Sequence, residues 1–258
     1  MRAAVIVATL FAPFALAQIR EAAIGHQFAK EIERRCRVLP DPEVTGYAER
    51  LAARVAQSAG LNVPVSLKIL ENTEARAFAF PGGFLYVTTG LIARAETEAE
   101  FAGVLAHELA HLKLQNGYYS PAGAANSVAA PRWLMGCSRW TVNSQIPLAS
   151  LTELRSREQQ ADTAAIQYLR AAGYDPLGML EFYNKLRYEK PKLAHTWSSQ
   201  DLMALHSYVE ESVLPAPEFI VNTAAFDAIR TRFLPRRKPA PSPVAPTLRK
   251  VNSEITVH

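Results

Sequence analysis

His107-Glu108-Leu109-Ala110-His111 decides how this chain is read. In an α-helix, positions four apart lie about 40° apart around the axis and about 6 Å along it, so both imidazoles can reach one point. That point can hold a metal ion. Glu108 projects beside the same face, near enough to take a proton from water activated there. As the direct neighbour of His107 it is poorly placed to ligate. The alternative is two ordinary surface histidines on a helix, and the flanking sequence bears on the choice.

Helix is supported independently of the motif. Thr97 and Glu100 have capping-box spacing and Gly117 is a suitable stop, which places a helix over roughly 98–116. Phe101, Leu105, Leu109 and Leu112 form an apolar stripe beside the histidine face, and Ala102, Ala106 and Ala110 a small-residue face that allows close packing. A helix apolar on so many sides is mostly buried. Two imidazoles and a carboxylate there would be costly without a partner, and a metal supplies one.

A third ligand is sought downstream. Residues 152–172 read as a helix with Leu154, Ala161, Ala165, Ile166 and Leu169 for the core and Gly173 as stop. Glu158 and Asp162 lie four apart on it. Two histidines and a glutamate are a known ligand set for catalytic zinc, which keeps one position open. Asp162, one turn on, can accept the free ring N–H of a ligating histidine and fix its tautomer. On the residues alone, two solvated acids beside Arg155 and Arg157 are the more ordinary reading of this pair.

Upstream, residues 18–38 and Asp41-Pro42 to Ser58 read as two helices, the second opened by its aspartate cap and proline. His26 falls off the apolar stripe of the first and reads as a solvated surface histidine. Val65, Leu67 and Ile69 alternate as in a half-buried strand. Arg76–Phe80, Pro81-Gly82-Gly83 and Phe84–Thr89 then read as strand, tight turn and strand, leading through Gly90 and a short connection into the metal helix. An edge strand beside a metal site can bind extended peptide through its backbone. The bland alternative is a hairpin that only covers the core.

The remainder is less specific. Residues 117–149 carry aromatics without periodicity, suited to packing on the body, to a flap over the cleft or to resting on a membrane surface. Asp175-Pro176 restarts a helix to about Tyr188, and His195 and His206 stand in isolation beyond it. From Pro235 to His258 a proline-rich basic tail is expected to be disordered.

At 258 residues, 49% hydrophobic and 20% charged, the chain suits one globular domain, expected over 18–234. Arg2, the apolar run Ala3–Phe14 and Ala15-Leu16-Ala17 predict a signal peptide over 1–17 and hence a periplasmic or secreted protein. No later stretch predicts a transmembrane helix. Export would allow a Cys36–Cys137 disulfide to persist, although Cys36 also continues the core spacing of Ile24, Phe28 and Ile32. The net charge of +4 resides in the tail, where Arg236, Arg237, Lys238, Arg249 and Lys250 oppose Glu254. The near-neutral body gives no basis for binding nucleic acid.

With these residues assembled, the chain resembles the family-48 zinc metallopeptidases over roughly 20–190. The likeness rests on Ala77-Phe-Ala-Phe-Pro-Gly-Gly83 with Gly90-Leu91, on His107-Glu-Leu-Ala-His111, on Ser156-Arg-Glu-Gln-Gln-Ala-Asp162 and on Ala172-Gly-Tyr-Asp-Pro176. The resemblance implies an α+β gluzincin fold, mostly helical, with a small sheet beside the active-site helix. It implies one zinc ion held by His107, His111 and Glu158, with Glu108 as general base and Asp162 behind a ligand. It also implies that the hairpin residues Phe80, Gly82, Gly83 and Phe84 border a cleft for extended polypeptide. Two departures stand out: Arg76 replaces a frequent asparagine, and His206, at a downstream substrate-side histidine, is followed by Ser207 rather than proline. The expectation is an exported zinc metalloendopeptidase of envelope protein quality control. Its rivals are a zinc-bound, chaperone-like peptide binder with a plugged cleft, and a structural zinc domain taking Cys36 or Cys137 as fourth ligand.

Overall fold

The computed structural model describes residues 22–23, 25–114, 148–189, 199–212 and 218–234, with side chains throughout except at 148–155, 187–189 and 199. The expected signal peptide over 1–17, residues 117–147, Cys137, His195 and the expected tail fall outside them.

The first helix, α1 (25–35), buries Phe28 and Ile32 and leaves His26 exposed. Helix α2 (Pro42–Ser58) starts where the sequence places it: the Asp41 carboxylate accepts from the N–H groups of Glu43 and Val44, and Pro42 occupies the first turn. Val44, Ala48, Leu51, Ala52 and Val55 make its buried face.

Strands β1 (Ser66–Leu70), β2 (Ala77–Phe80) and β3 (Phe84–Thr88) form one sheet in the order β1-β3-β2, with β1 parallel and β2 antiparallel to β3. Gly82 and Gly83, at φ of 88° and 86°, make the hairpin turn. The pleat sorts the side chains cleanly. Leu67, Ile69, Leu85 and Val87, with Ala77 and Ala79, join the main core, to which α2 contributes its buried face. Phe78, Phe80, Phe84 and Tyr86 turn to the opposite face and pack with Phe28, Ile32 and Cys36 of the α1 region. The Tyr86 hydroxyl donates to Glu33 at 2.8 Å, tying α1 to the sheet.

The strand expected to reach Thr89 ends at Thr88, whose hydroxyl accepts from the N–H of Leu91 and caps a short helix, α3 (Thr89–Arg94), in place of a simple connection. Helix α4 (Glu98–Leu114) follows and is buried on nearly every side. The Thr97 hydroxyl accepts from the Glu100 N–H at 3.2 Å, but the Glu100 carboxylate receives the Glu96 N–H at 2.7 Å and the Lys185 ammonium at 2.9 Å. Only half of the expected capping box forms, because a buried carboxylate with an ammonium in reach is better satisfied there.

Helices α5 (Leu148–Ala172) and α6 (Leu177–Glu189) pack on α4, as do α2 and β2. Helix α5 begins four residues earlier than its apolar pattern predicts. Helices α7 (Ser199–Ser212) and α8 (Ala224–Thr231) were not anticipated. Glu98, at the start of α4, is buried; it accepts from the Tyr174 hydroxyl at 2.7 Å and from the Thr223 hydroxyl, and its N–H donates to Asn222 at 3.0 Å. The 220s thereby clamp the front of the central helix.

Candidate metal centre

His107 and His111 lie one turn apart on α4, 6% and 9% exposed, and Glu158 reaches them from α5. The three atoms that face each other are His107 Nε2, His111 Nε2 and Glu158 Oε2. Their separations are 3.0 Å between the histidines, 3.3 Å from His107 to Glu158 and 3.6 Å from His111 to Glu158. Zinc bonds of about 2.0–2.1 Å in tetrahedral array put ligand atoms about 3.3 Å apart. The donor set and its spacing therefore fit zinc, with the fourth direction left to water or substrate.

Behind this group, Asp162 is fully buried and its Oδ1 lies 2.8 Å from His107 Nδ1. The carboxylate accepts the Nδ1–H, which leaves Nε2 as the atom aimed at Glu158 and His111. Burial alone would pull the His107 imidazolium down, but the hydrogen bonds to Asp162 and Glu158 outweigh it and hold it well above the ordinary histidine range. This electron-rich surround suits a cation. The solvated alternative for the two acids fails at Asp162, which has no exposure.

Glu108 is half-buried, whereas its neighbours His107 and Leu109 are buried, and it is not one of the three converging ligand residues. Tyr183 of α6 went unnoticed in the sequence. It is 4% exposed, and its ring meets that of His107 edge-on with centroids 5.9 Å apart. Burial, then the charges of Asp162, Glu108 and Glu158, push its hydroxyl well above the usual tyrosine range. In the sequence it merges with Met179 and Phe182 as apolar helix spacing, which hides it.

Other expected residues lie elsewhere. Phe80 and Phe84 point to the α1 side of the sheet, because the pleat gives the α4 side to Ala77 and Ala79. Gly82 lies against Ala22 and Gly83 against the Pro64 carbonyl. The structure thus gives these four positions packing partners and brings none of their side chains into the converging group. His206 is exposed on α7 and pairs with Glu210 at 3.3 Å. Cys36 sits in the α1-side core with Phe28, Ile32 and Phe80, away from the histidines, so it is not a fourth ligand.

A histidine pair one turn apart, a glutamate from a second helix and an aspartate behind one imidazole define a gluzincin-type centre on an α+β scaffold. The model of peptidase family M48 matches residues 42–208, and the chain belongs to that family. It is similar to the beta-barrel assembly-enhancing protease of Yersinia pestis, 28% identical over 184 residues, and to that of Escherichia coli K12, 27% identical over 184 residues. In both cases the match takes in 65% of this chain and 37% of the relative, so the chain spans well under half the length of these curated relatives.

Proposed function

We propose that the chain is an exported zinc metalloendopeptidase acting on extended or unfolded envelope polypeptides. The observation that carries it is the near-equilateral spacing of His107 Nε2, His111 Nε2 and Glu158 Oε2, with Asp162 orienting His107 from behind. Zinc bound there would supply Lewis acidity, polarising a peptide carbonyl and making water acidic enough to ionise near neutral pH. His107, His111 and Glu158 hold the ion. Glu108, half-buried between the two histidines in sequence, takes the proton from water and passes it to the leaving amine. Strand β2 pairs only with β3 among the described residues and packs on α4, which supports backbone pairing with an extended substrate along its outer edge.

Export rests on residues 1–17, and no helix among the described residues is long and apolar enough to cross a membrane. The envelope substrate class rests on the names of the relatives. In an exported chain Cys36 and Cys137 would form a disulfide, which mass analysis of the unreduced protein reads directly.

The test compares wild type with Glu108→Gln on an unfolded protein substrate at equal zinc occupancy. The expected outcome is one zinc per chain in both and cleavage lost in the variant by a factor of at least about 100. Equal rates would refute the enzyme reading and leave a zinc-bound peptide binder.

A further inference from the structure

The hydrogen bonding of β2 decides which of its backbone groups are free. The Thr88 N–H donates to the Arg76 carbonyl at 3.0 Å, so that carbonyl faces β3. With Phe78 opposite Tyr86 and Phe80 opposite Phe84, the alternation of an antiparallel ladder turns the N–H and C=O groups of Phe78 and Phe80 inward as well. Those of Ala77 and Ala79 turn outward. On β3 the complementary pattern holds: the Gly83 carbonyl points to β1, where it accepts from the Ser66 N–H at 2.8 Å. Among the described residues, β2 has no strand on its outer edge.

Side chains alternate in the same register. Ala77 and Ala79 join the core on the α4 side, and a methyl group offers little to distinguish one neighbour from another. Phe78 lies on the opposite face, stacked on Tyr86 with centroids 5.7 Å apart and edge-on to Phe80 at 5.8 Å. Tyr86 and Phe80 are buried, the latter against Phe28 of α1, whereas Phe78 is half-buried. The aromatic row therefore reaches the open edge with its last ring only partly covered. Arg76, the next residue of this parity, is held by Glu74 at 2.8 Å.

We propose that Phe78 is a specificity-determining residue. A substrate strand bonds antiparallel to Ala77 and Ala79, and the substrate residue between those bonds, opposite Phe78, is selected for an aromatic or large apolar side chain. That residue forms a non-hydrogen-bonded pair with Phe78, the kind in which facing side chains come closest. Its two neighbours turn to the α4 side, opposite the alanines. The inference rests on the metalloendopeptidase reading above and adds to it the side chain that the edge prefers.

The experiment maps the cleavage sites of wild type and F78A in one unfolded protein by mass spectrometry. Aromatic enrichment at one fixed offset from the cut should be present in wild type and lost in F78A, with the other positions unchanged. Two peptides that differ only there, Phe against Ala, then give the magnitude. Taking the ratio of their kcat/KM values on one preparation cancels any loss of folded enzyme. Wild type should favour the Phe peptide about three- to tenfold, as an aromatic pair brings, mainly through KM because the contact is the same before and during reaction. In F78A the two peptides should become nearly equal.

Identical cleavage profiles, or an unchanged peptide ratio in F78A, would overturn the proposal and leave the peptidase reading standing. No cleavage by wild type would instead overturn that reading and the inference with it. Should F78A fail to fold, F78T, whose β-branched side chain suits a strand, takes its place with the same outcomes.

Discussion

Replacing Gly103 by alanine tests how tightly α4 and α6 cross. In a free helix alanine is favoured over glycine by about 1 kcal/mol, so on propensity alone the change should stabilise. Here the new methyl would meet Met179 Cα and Cβ at 2.7 Å and its backbone nitrogen at 3.1 Å. Carbon atoms rest about 3.5–4.0 Å apart, so α6 must retreat by about 1 Å, and overpacking of this kind costs about 1–3 kcal/mol. The loss outweighs the gain, leaving a net destabilisation of up to about 2 kcal/mol, or several degrees of melting temperature. Gly46 on α2 provides the internal comparison. A Cβ there meets only the Arg50 guanidinium, at 3.4 Å, and that end of a flexible side chain can move aside. G46A should therefore stabilise by about 0.5–1 kcal/mol. Urea and thermal unfolding of the metal-free proteins give both signs. If G103A proves as stabilising as G46A, the close α4–α6 contact is wrong, and with it the route by which the Tyr183 ring reaches His107.

Two further outcomes follow from groups outside the metal centre. Glu98→Ala removes the buried acceptor of the Tyr174 and Thr223 hydroxyls, so equilibrium unfolding should show a loss of about 2–4 kcal/mol; a loss under about 0.5 kcal/mol would mean the clamp contributes nothing. The Asp41 carboxyl is held below its usual range, first by the Val44 N–H, against an opposing effect of burial, and further by Arg232. A depressed folded pKa contributes stability that is present above the unfolded value of about 3.9 and is lost as pH falls through the folded one. The melting-temperature gap between wild type and D41A should hold steady above about pH 5 and narrow below about pH 4, and a gap independent of pH would contradict this.

The residues that bear chemistry were the most legible. His107, His111, Glu158 and Asp162 could be placed because helical spacing is rigid: once α4 and α5 are helices, positions four apart must share a face. Asp41-Pro42 located α2 for the same local reason. What escaped depends on partners distant in sequence. Glu100 has the spacing of a capping residue, yet Lys185 of α6 draws it away. Phe80 and Phe84 border the glycine turn, but which face of a strand meets α4 is settled by the covering helix, here α1, and not by alternation alone. Helix α8 has eight residues, too few for a stripe to stand out, and is held by the Thr223 cap and the Phe226 ring stacked on Phe101. Tyr183 carries no motif of its own because its contact with His107 exists only where α6 packs on α4.

The Glu98 clamp also orders events during synthesis. The carboxylate that seats the start of α4 waits for a hydroxyl 125 positions further along, so on the ribosome α4 can be made long before it can be anchored. A half-finished chain would hold both imidazoles without the glutamate, the aspartate or the strap that steadies them, and would compete poorly for the ion. The group of His107, His111 and Glu158 would then be complete and anchored only near the end of translation.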